Sequence, residues 1–158
     1  MSRPRPTTGG APRPGNTAVL LREAFVALND MVIVRLAERG HAAVRPAHAA
    51  VFQYLDDTGT TVSTLAARAQ MTKQAMAELV AHLERHGYVV RVPDPADRRA
   101  KLVQPTATGR DVVAIAQELV PEIEQRVDAA LGPDRAREFR RDLEMLQRAT
   151  PGHAATPA

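Results

Sequence analysis

Apolar side chains recur every three or four residues along most of the chain, which is the spacing of helices with one buried face. In the first such segment, charges such as Arg22, Asp30 and Arg35 interrupt the pattern too often for a membrane span. We therefore expect no membrane partner. The predicted helices cover 17–39, 46–55, 63–69, 72–86, 106–131 and 133–148.

Hydroxyl side chains that can cap a helix stand at the start of three of these segments. Ser63, Thr72 and Thr106 each offer an oxygen to the unpaired backbone N–H groups of a first helical turn. Gly87 suits the left-handed residue that follows a helix, and Pro121 is expected to kink the fifth helix.

Two β-prone runs, 88–92 and 100–104, flank the turn-rich segment 93–99. This pattern predicts an antiparallel hairpin with a protruding loop. A further short β-branched run, 60–62, precedes the third helix. The predicted fold class is therefore mainly α with a small β wing.

The two short capped helices and the hairpin that follows them form the pattern of a winged helix-turn-helix, whose second helix lies in the major groove of duplex DNA. Lys73 and Gln74 favour this interpretation, because helix N-termini attract phosphate and glutamine pairs with adenine. Glu78 opposes it unless the carboxylate accepts from cytosine. The alternative is an ordinary amphipathic surface helix.

The hairpin loop carries Arg98 and Arg99 beside Asp97. The narrow minor groove attracts arginine, and a nearby carboxylate can hold the guanidinium extended. The alternative is a solvated charged turn. The candidate DNA-binding residues are Ser63, Thr64, Thr72, Lys73, Gln74, Ala77, Glu78, Asp97, Arg98 and Arg99.

Composition removes several classes of function. The chain has no cysteine, which excludes disulfides, thiolate zinc sites and cysteine-based redox sensing and fits a reducing cytoplasm. Aromatic residues make up 3% of the chain, too few for the stacking platforms of single-strand binders. Of the formal net charge of +3, the excess lies in the first fifteen residues and in the central block 60–103, where a polyanion is expected to bind.

Four segments of the central and C-terminal chain carry the closest likeness to a known family. They read VSTLA at 62–66, LVAHLERHGY at 79–88, DPADRR at 94–99 and TATG at 106–109. On these residues the chain resembles the MarR (multiple-antibiotic-resistance regulator) family of bacterial transcription factors, over about 17–148. Glu78 and Pro105 depart from the family pattern, in which many members carry Arg and Leu there.

The resemblance implies a ligand-responsive repressor that binds a palindromic operator as a homodimer. It also implies that Arg99 enters the minor groove, that Asp97 orients it and that Arg98 contacts the backbone. No cofactor, metal or catalytic residue is expected, and the location implied is the cytoplasm, with the nucleoid.

The chain is expected to form one domain over 17–150. Its helices at 17–39 and 106–149 carry more apolar positions than a small lobe at 46–104 covers, so they are predicted to dimerise. The segments 1–15 and 150–158 are expected to be a disordered basic arm and a disordered tail.

Two other functions stay open at this stage. His82 and His86 stand four residues apart on a predicted helix, a spacing that binds zinc in some enzymes, although no third ligand is evident. A winged helix can also bind proteins instead of DNA, since a fold does not fix function.

A small anionic or aromatic effector is a further expectation. Family members bind ligands between the dimer helices and the winged lobe, and four residues at the junction of the first two helices are candidates. These are His41, Arg45, His48 and Phe52, for which ordinary packing and capping is the alternative role.

Overall fold

The protein is represented by a computed structural model that describes residues 15–149, so the predicted tail 150–158 and all of the predicted arm except Gly15 lie outside it. The elements follow the predicted order, and the mainly helical class with a small β wing is confirmed. The helices are α1 (Thr17–Glu38), α2 (Ala49–Tyr54), α3 (Val62–Arg68), α4 (Lys73–Arg85), α5 (Ala107–Glu118), α6 (Val120–Leu131) and α7 (Pro133–Ala149). The strands are β1 (Val89–Pro93) and β2 (Lys101–Pro105).

The core lies beneath α3 and α4. Leu65 of α3 and the apolar stripe of α4 are fully buried and pack with Val51 of α2 and Val103 of β2. Burial of these side chains removes the apolar faces of four elements from water, which is the main force that holds the lobe together.

The hairpin pairs β1 with β2 in antiparallel register, with Arg91 opposite Val103. Thr60 extends this sheet by a single bridge, because its N–H and carbonyl both bond Val103 at 2.9 Å. The β-branched run at 60–62 is therefore one bridge residue and the start of a helix, not a strand.

The predicted N-cap of α3 is wrong. The Oγ1 of Thr61 accepts from the N–H of Thr64 at 3.1 Å, so Thr61 is the cap and Ser63 lies exposed in the first turn. Both residues have a suitable side chain, and the bridge at Thr60 decides between them, because it holds the chain extended up to the residue before α3.

The predicted bend near Pro121 is a break between α5 and α6 at Leu119. Proline has no N–H to donate to the preceding turn, and it is tolerated in the first turn of a new helix. Helix α1 and the residues that follow it contact these two helices through Arg35–Glu122 at 3.3 Å, Arg39–Glu118 at 3.4 Å and His41–Asp111 at 2.8 Å. Among the described residues, no helix is long and apolar enough to cross a membrane.

A close approach joins the wing to α5. Thr106 donates its hydroxyl to the carbonyl of Gly87 at 2.6 Å and accepts from the N–H of Gly109 at 3.2 Å. A Cβ atom on Gly109 would lie 2.1 Å from the carbonyl oxygen of Tyr88, which is inside van der Waals contact. The Thr106–Gly109 motif therefore places the start of α5 directly against the end of α4.

We predict that Gly109→Ala lowers the free energy of unfolding by about 1–3 kcal/mol, because the added methyl group overlaps the Tyr88 carbonyl. Urea denaturation measures this. Thr108→Ala, at an exposed position of the same helix, is the control and is expected to change the stability little. Equal stability of the two variants would contradict the close approach.

Candidate nucleic-acid interface

A tight turn joins α3 to α4. Gln70 adopts a φ of 54°, and the N–H groups of Gln70 and Met71 bond the carbonyls of Ala67 and Ala66 at 3.2 and 2.9 Å. This is the Schellman arrangement, in which a left-handed residue closes a helix and glycine is usual. Helix α4 begins two residues after Met71, at Lys73. Its N-cap is Thr72, as the sequence predicts, because the Oγ1 of Thr72 accepts from the N–H of Ala75 at 3.2 Å.

Helix α4 has one face fixed in the core and one face turned outward. Met76, Val80 and Leu83 have no exposed surface. Lys73, Gln74 and Glu78 are exposed on the other side, at the N-terminal half of the helix. The half-buried Ala77 and Ala81 lie between the two faces, so the outward surface is narrower than the sequence pattern predicts.

The remaining candidates on α3 lie near this surface at the helix N-terminus. Ser63 and Thr64 are exposed, and the hydroxyl of Thr61 donates to that of Thr64 at 2.9 Å. Their hydroxyls can donate to phosphate oxygens.

The wing loop holds its two arginines away from acidic partners. The carboxylate of Asp97 accepts from the backbone N–H of Arg99 at 2.9 Å, and its carbonyl accepts from the N–H of Ala100 at 2.9 Å. Arg98 and Arg99 are exposed, and neither forms an ion pair with any described residue. Asp97 thus shapes the loop backbone here rather than binding the guanidinium, and both charges project into solvent.

Residues 44–100, which span α2, the helix-turn-helix and most of the wing, match the sequence model described as the MarR family. Over this segment the chain is similar to the MarR family.

Two relatives illustrate the match. The transcriptional regulator HosA of Escherichia coli is 36% identical over 72 residues, 46% of this chain and 53% of HosA. The transcriptional activatory protein BadR of Rhodopseudomonas palustris is 41% identical over 54 residues, 34% of this chain and 31% of BadR. The chain thus spans about half of the first relative and a third of the second.

The fold also matches a solved structure along most of its length. The crystal structure of the S. aureus MepR–DNA complex superposes with a TM-score of 0.69 at 18% identity, and the match covers 87% of this chain and 100% of that chain. At this identity the likeness establishes the fold.

The lobe that matches the family model meets α1 at a junction where the four effector candidates lie. Phe52 lines a cavity of about 370 Å³ between α1, α2, α5 and α6. The other three candidates do not line it: His41 bonds Asp111, while His48 is buried and its Nδ1 accepts from the N–H of Arg45 at 2.9 Å.

Three histidine rings stack where this junction meets α4. The ring centres of His48 and His82 are 4.5 Å apart, and those of His82 and His86 are 4.3 Å apart. The Nε2 of His82 donates to the carbonyl of Ala43 at 2.9 Å, and the Nδ1 of His86 donates to the carbonyl of His82 at 2.8 Å. The rings lie face to face, and no group of three His, Asp or Glu side chains within 15–149 is arranged to hold a metal ion.

Burial, together with the charges of His82, Arg45 and His86, lowers the pKa of His48 to about 4. The unfolded chain binds this proton near pH 6.5, so the folded state is favoured above that pH and loses stability as the pH falls from 6.5 towards 4.

We predict that the free energy of unfolding of His48→Asn falls by about 2 kcal/mol less than that of the wild type when the pH is lowered from 7.5 to 5, because asparagine takes up no proton. The asparagine oxygen can still accept from the N–H of Arg45. Urea denaturation at the two pH values gives the difference. His86→Asn, at the exposed end of the stack, removes only the smallest contribution to the His48 shift and is expected to keep most of the wild-type dependence. The assignment fails if His48→Asn loses as much stability on acidification as the wild type.

Proposed function

We propose that this chain is a transcriptional regulator of the MarR family that binds duplex DNA in a sequence-specific manner, as a homodimer on palindromic operators. The observation that carries the proposal is the outward surface of α4 beside a wing loop whose two arginines have no acidic partner among the described residues. The crystal structure of MepR, which shares the fold, is that of its complex with DNA.

The chemistry of α4 suits the major groove, and that of the wing loop suits the minor groove. The first turn of α4 offers backbone N–H groups and Lys73 to phosphates, and Gln74 to a base edge. Arg99 reaches the flanking minor groove, and Arg98 contacts the backbone beside it. Repression is the outcome we propose, because a dimer bound across an operator excludes other proteins from it.

Arg99→Ala is expected to weaken operator binding about tenfold or more, because it removes the minor-groove cation. Fluorescence anisotropy with a labelled duplex measures the dissociation constant, and Arg135→Ala, an exposed arginine at the start of α7, is the matched control. Equal affinities of the two variants would refute the role of the wing. Affinity for DNA that does not fall as salt is raised would instead favour a protein-binding module.

The homodimer is proposed from apolar surface that this chain leaves uncovered on its first and last helices. Phe25 of α1 is 60% exposed and Met145 of α7 is 58% exposed. Further exposed apolar side chains on these helices are Val19, Leu20, Val26, Val34, Phe139 and Leu146. Surface of this kind on two helices of one chain is typical of an interface with a second copy.

Phe25→Glu is expected to convert the dimer to monomer, because it places a charge in the proposed interface. Sedimentation velocity measures the mass. Val90→Glu changes an exposed apolar residue on the wing and should leave the dimer intact. A dimer that survives Phe25→Glu would place the interface elsewhere.

The effector is proposed to occupy the cavity lined by Phe52. Its volume of about 370 Å³ lies in the range of small-molecule sites. Asn29, Gln53 and Gln117 provide polar groups, the other lining residues are apolar, and none of them is charged. This lining favours an uncharged aromatic molecule over an anionic one, because a carboxylate buried there would lack a cation.

We therefore expect methyl benzoate to raise the melting temperature more than benzoate at equal concentration, and to weaken operator binding. Ala116→Leu narrows the cavity and should reduce the shift, whereas Ala114→Leu, at an exposed position of the same helix, should not. A larger rise in melting temperature with benzoate than with methyl benzoate would instead indicate an anionic effector.

The family and the fold are those of transcriptional regulators rather than enzymes. We propose that the chain has no catalytic role and acts in the cytoplasm, where its operator lies. The bonded, stacked imidazoles of His82 and His86 support the first point, since their geometry does not converge on a metal.

A further inference from the structure

We propose that Glu78 is a specificity-determining residue that accepts a hydrogen bond from the exocyclic amino group of a cytosine, once in each half-site. This inference rests on the proposed duplex-DNA function and adds the base that α4 selects. It concerns the residue at which the chain departs from the arginine expected from the family resemblance.

Glu78 lies on the part of α4 that would enter a groove. It is exposed and stands one helical turn after Gln74, so the two side chains are neighbours on the outward surface. The half-buried Ala77 and Ala81 beside it are too short to hold the helix away from a base edge. The carboxylate therefore projects beyond its neighbours.

Glu78 differs from the other acidic residues of the lobe in the contacts of its carboxylate. Between residues 44 and 105, the carboxylates of Asp56, Asp57 and Glu84 form ion pairs with Arg68, Arg110 and Arg91, and those of Asp94 and Asp97 accept backbone N–H groups in the wing loop. Of these six residues, Glu78 alone has a carboxylate with no ion pair and no hydrogen bond to any residue in the described part of the chain. An exposed, unneutralised carboxylate in the middle of a DNA-facing helix repels phosphates unless a donor receives it.

The major groove offers few such donors. Guanine presents two acceptors and thymine an acceptor and a methyl group, so both disfavour a carboxylate. Adenine presents an amino donor beside the N7 acceptor, which repels the second carboxylate oxygen. Cytosine presents its amino donor with no acceptor of its own in the major groove, and beside that donor lies its C5–H edge, so a carboxylate at this position selects cytosine.

The test is selection of binding sites by the full chain from a random duplex library, followed by affinity measurements on four duplexes that differ at one base per half-site. The wild type is expected to select a palindrome with a fixed cytosine and to bind it about tenfold more tightly than the other three bases. Glu78→Gln is expected to shift this position towards adenine and to bind random duplexes more tightly, because glutamine pairs with adenine and carries no charge.

Glu138→Gln is the matched control, since it removes the same charge from an exposed position on α7 and should leave every base preference unchanged. Glu78→Ala should accept all four bases at the position with similar affinity. If the wild type selects a palindrome and Glu78→Gln selects the same bases, the role of Glu78 is refuted while the proposed function stands. If the wild type selects no sequence, the proposed function itself fails.

Discussion

The packing of one face of α4 is the constraint on which the interface depends. Met76, Val80 and Leu83 have no exposed surface, and they meet side chains from α2, α3 and β2 at a close-packed core. A helix held this way cannot rotate about its axis without exposing apolar surface. The outward direction of Gln74 and Glu78 is therefore set by buried residues of the core.

The helical region shares the buried core of this lobe and is also tied to it by specific polar contacts. Thr106 and Gly109 hold the start of α5 against the carbonyls that follow α4, and His41 bonds Asp111 across the same junction. The cavity lined by Phe52 lies between these tied elements. A ligand that enters the cavity would contact α1, α2 and α5 together. We propose that an effector thereby changes the distance between the two lobes of a dimer.

The sequence predicts those features whose chemistry is local. Thr72 and Thr106 cap their helices as expected, because each side chain bonds a backbone N–H three residues ahead. The capping of α3 by Thr61 was missed, because the bridge from Thr60 to Val103 joins segments far apart in the chain.

The candidate site was predictable to a similar degree. Lys73, Gln74 and Glu78 of α4 are exposed, as periodicity predicts, whereas Ala77 and Ala81 of the predicted outward set are half-buried. The wing arginines are exposed, and the DNA contacts of all these residues stay a prediction. The burial of His48, its stacking on His82 and the uncharged lining of the cavity depend on how α1, α2 and α4 pack together, which no local pattern encodes.

The chain has no cysteine, so a single introduced cysteine carries a chemical probe at one known place. The most direct test tethers an iron chelate to Arg98→Cys in the wing and maps hydroxyl-radical cleavage of a bound palindromic duplex. The account predicts two clusters of cuts, symmetric about the operator centre. Within each cluster, the cuts on the two strands should be offset in the direction expected when the cleaving radical comes from the minor groove. A single cluster, or cuts without symmetry, would contradict a dimer that places one wing in each flanking minor groove.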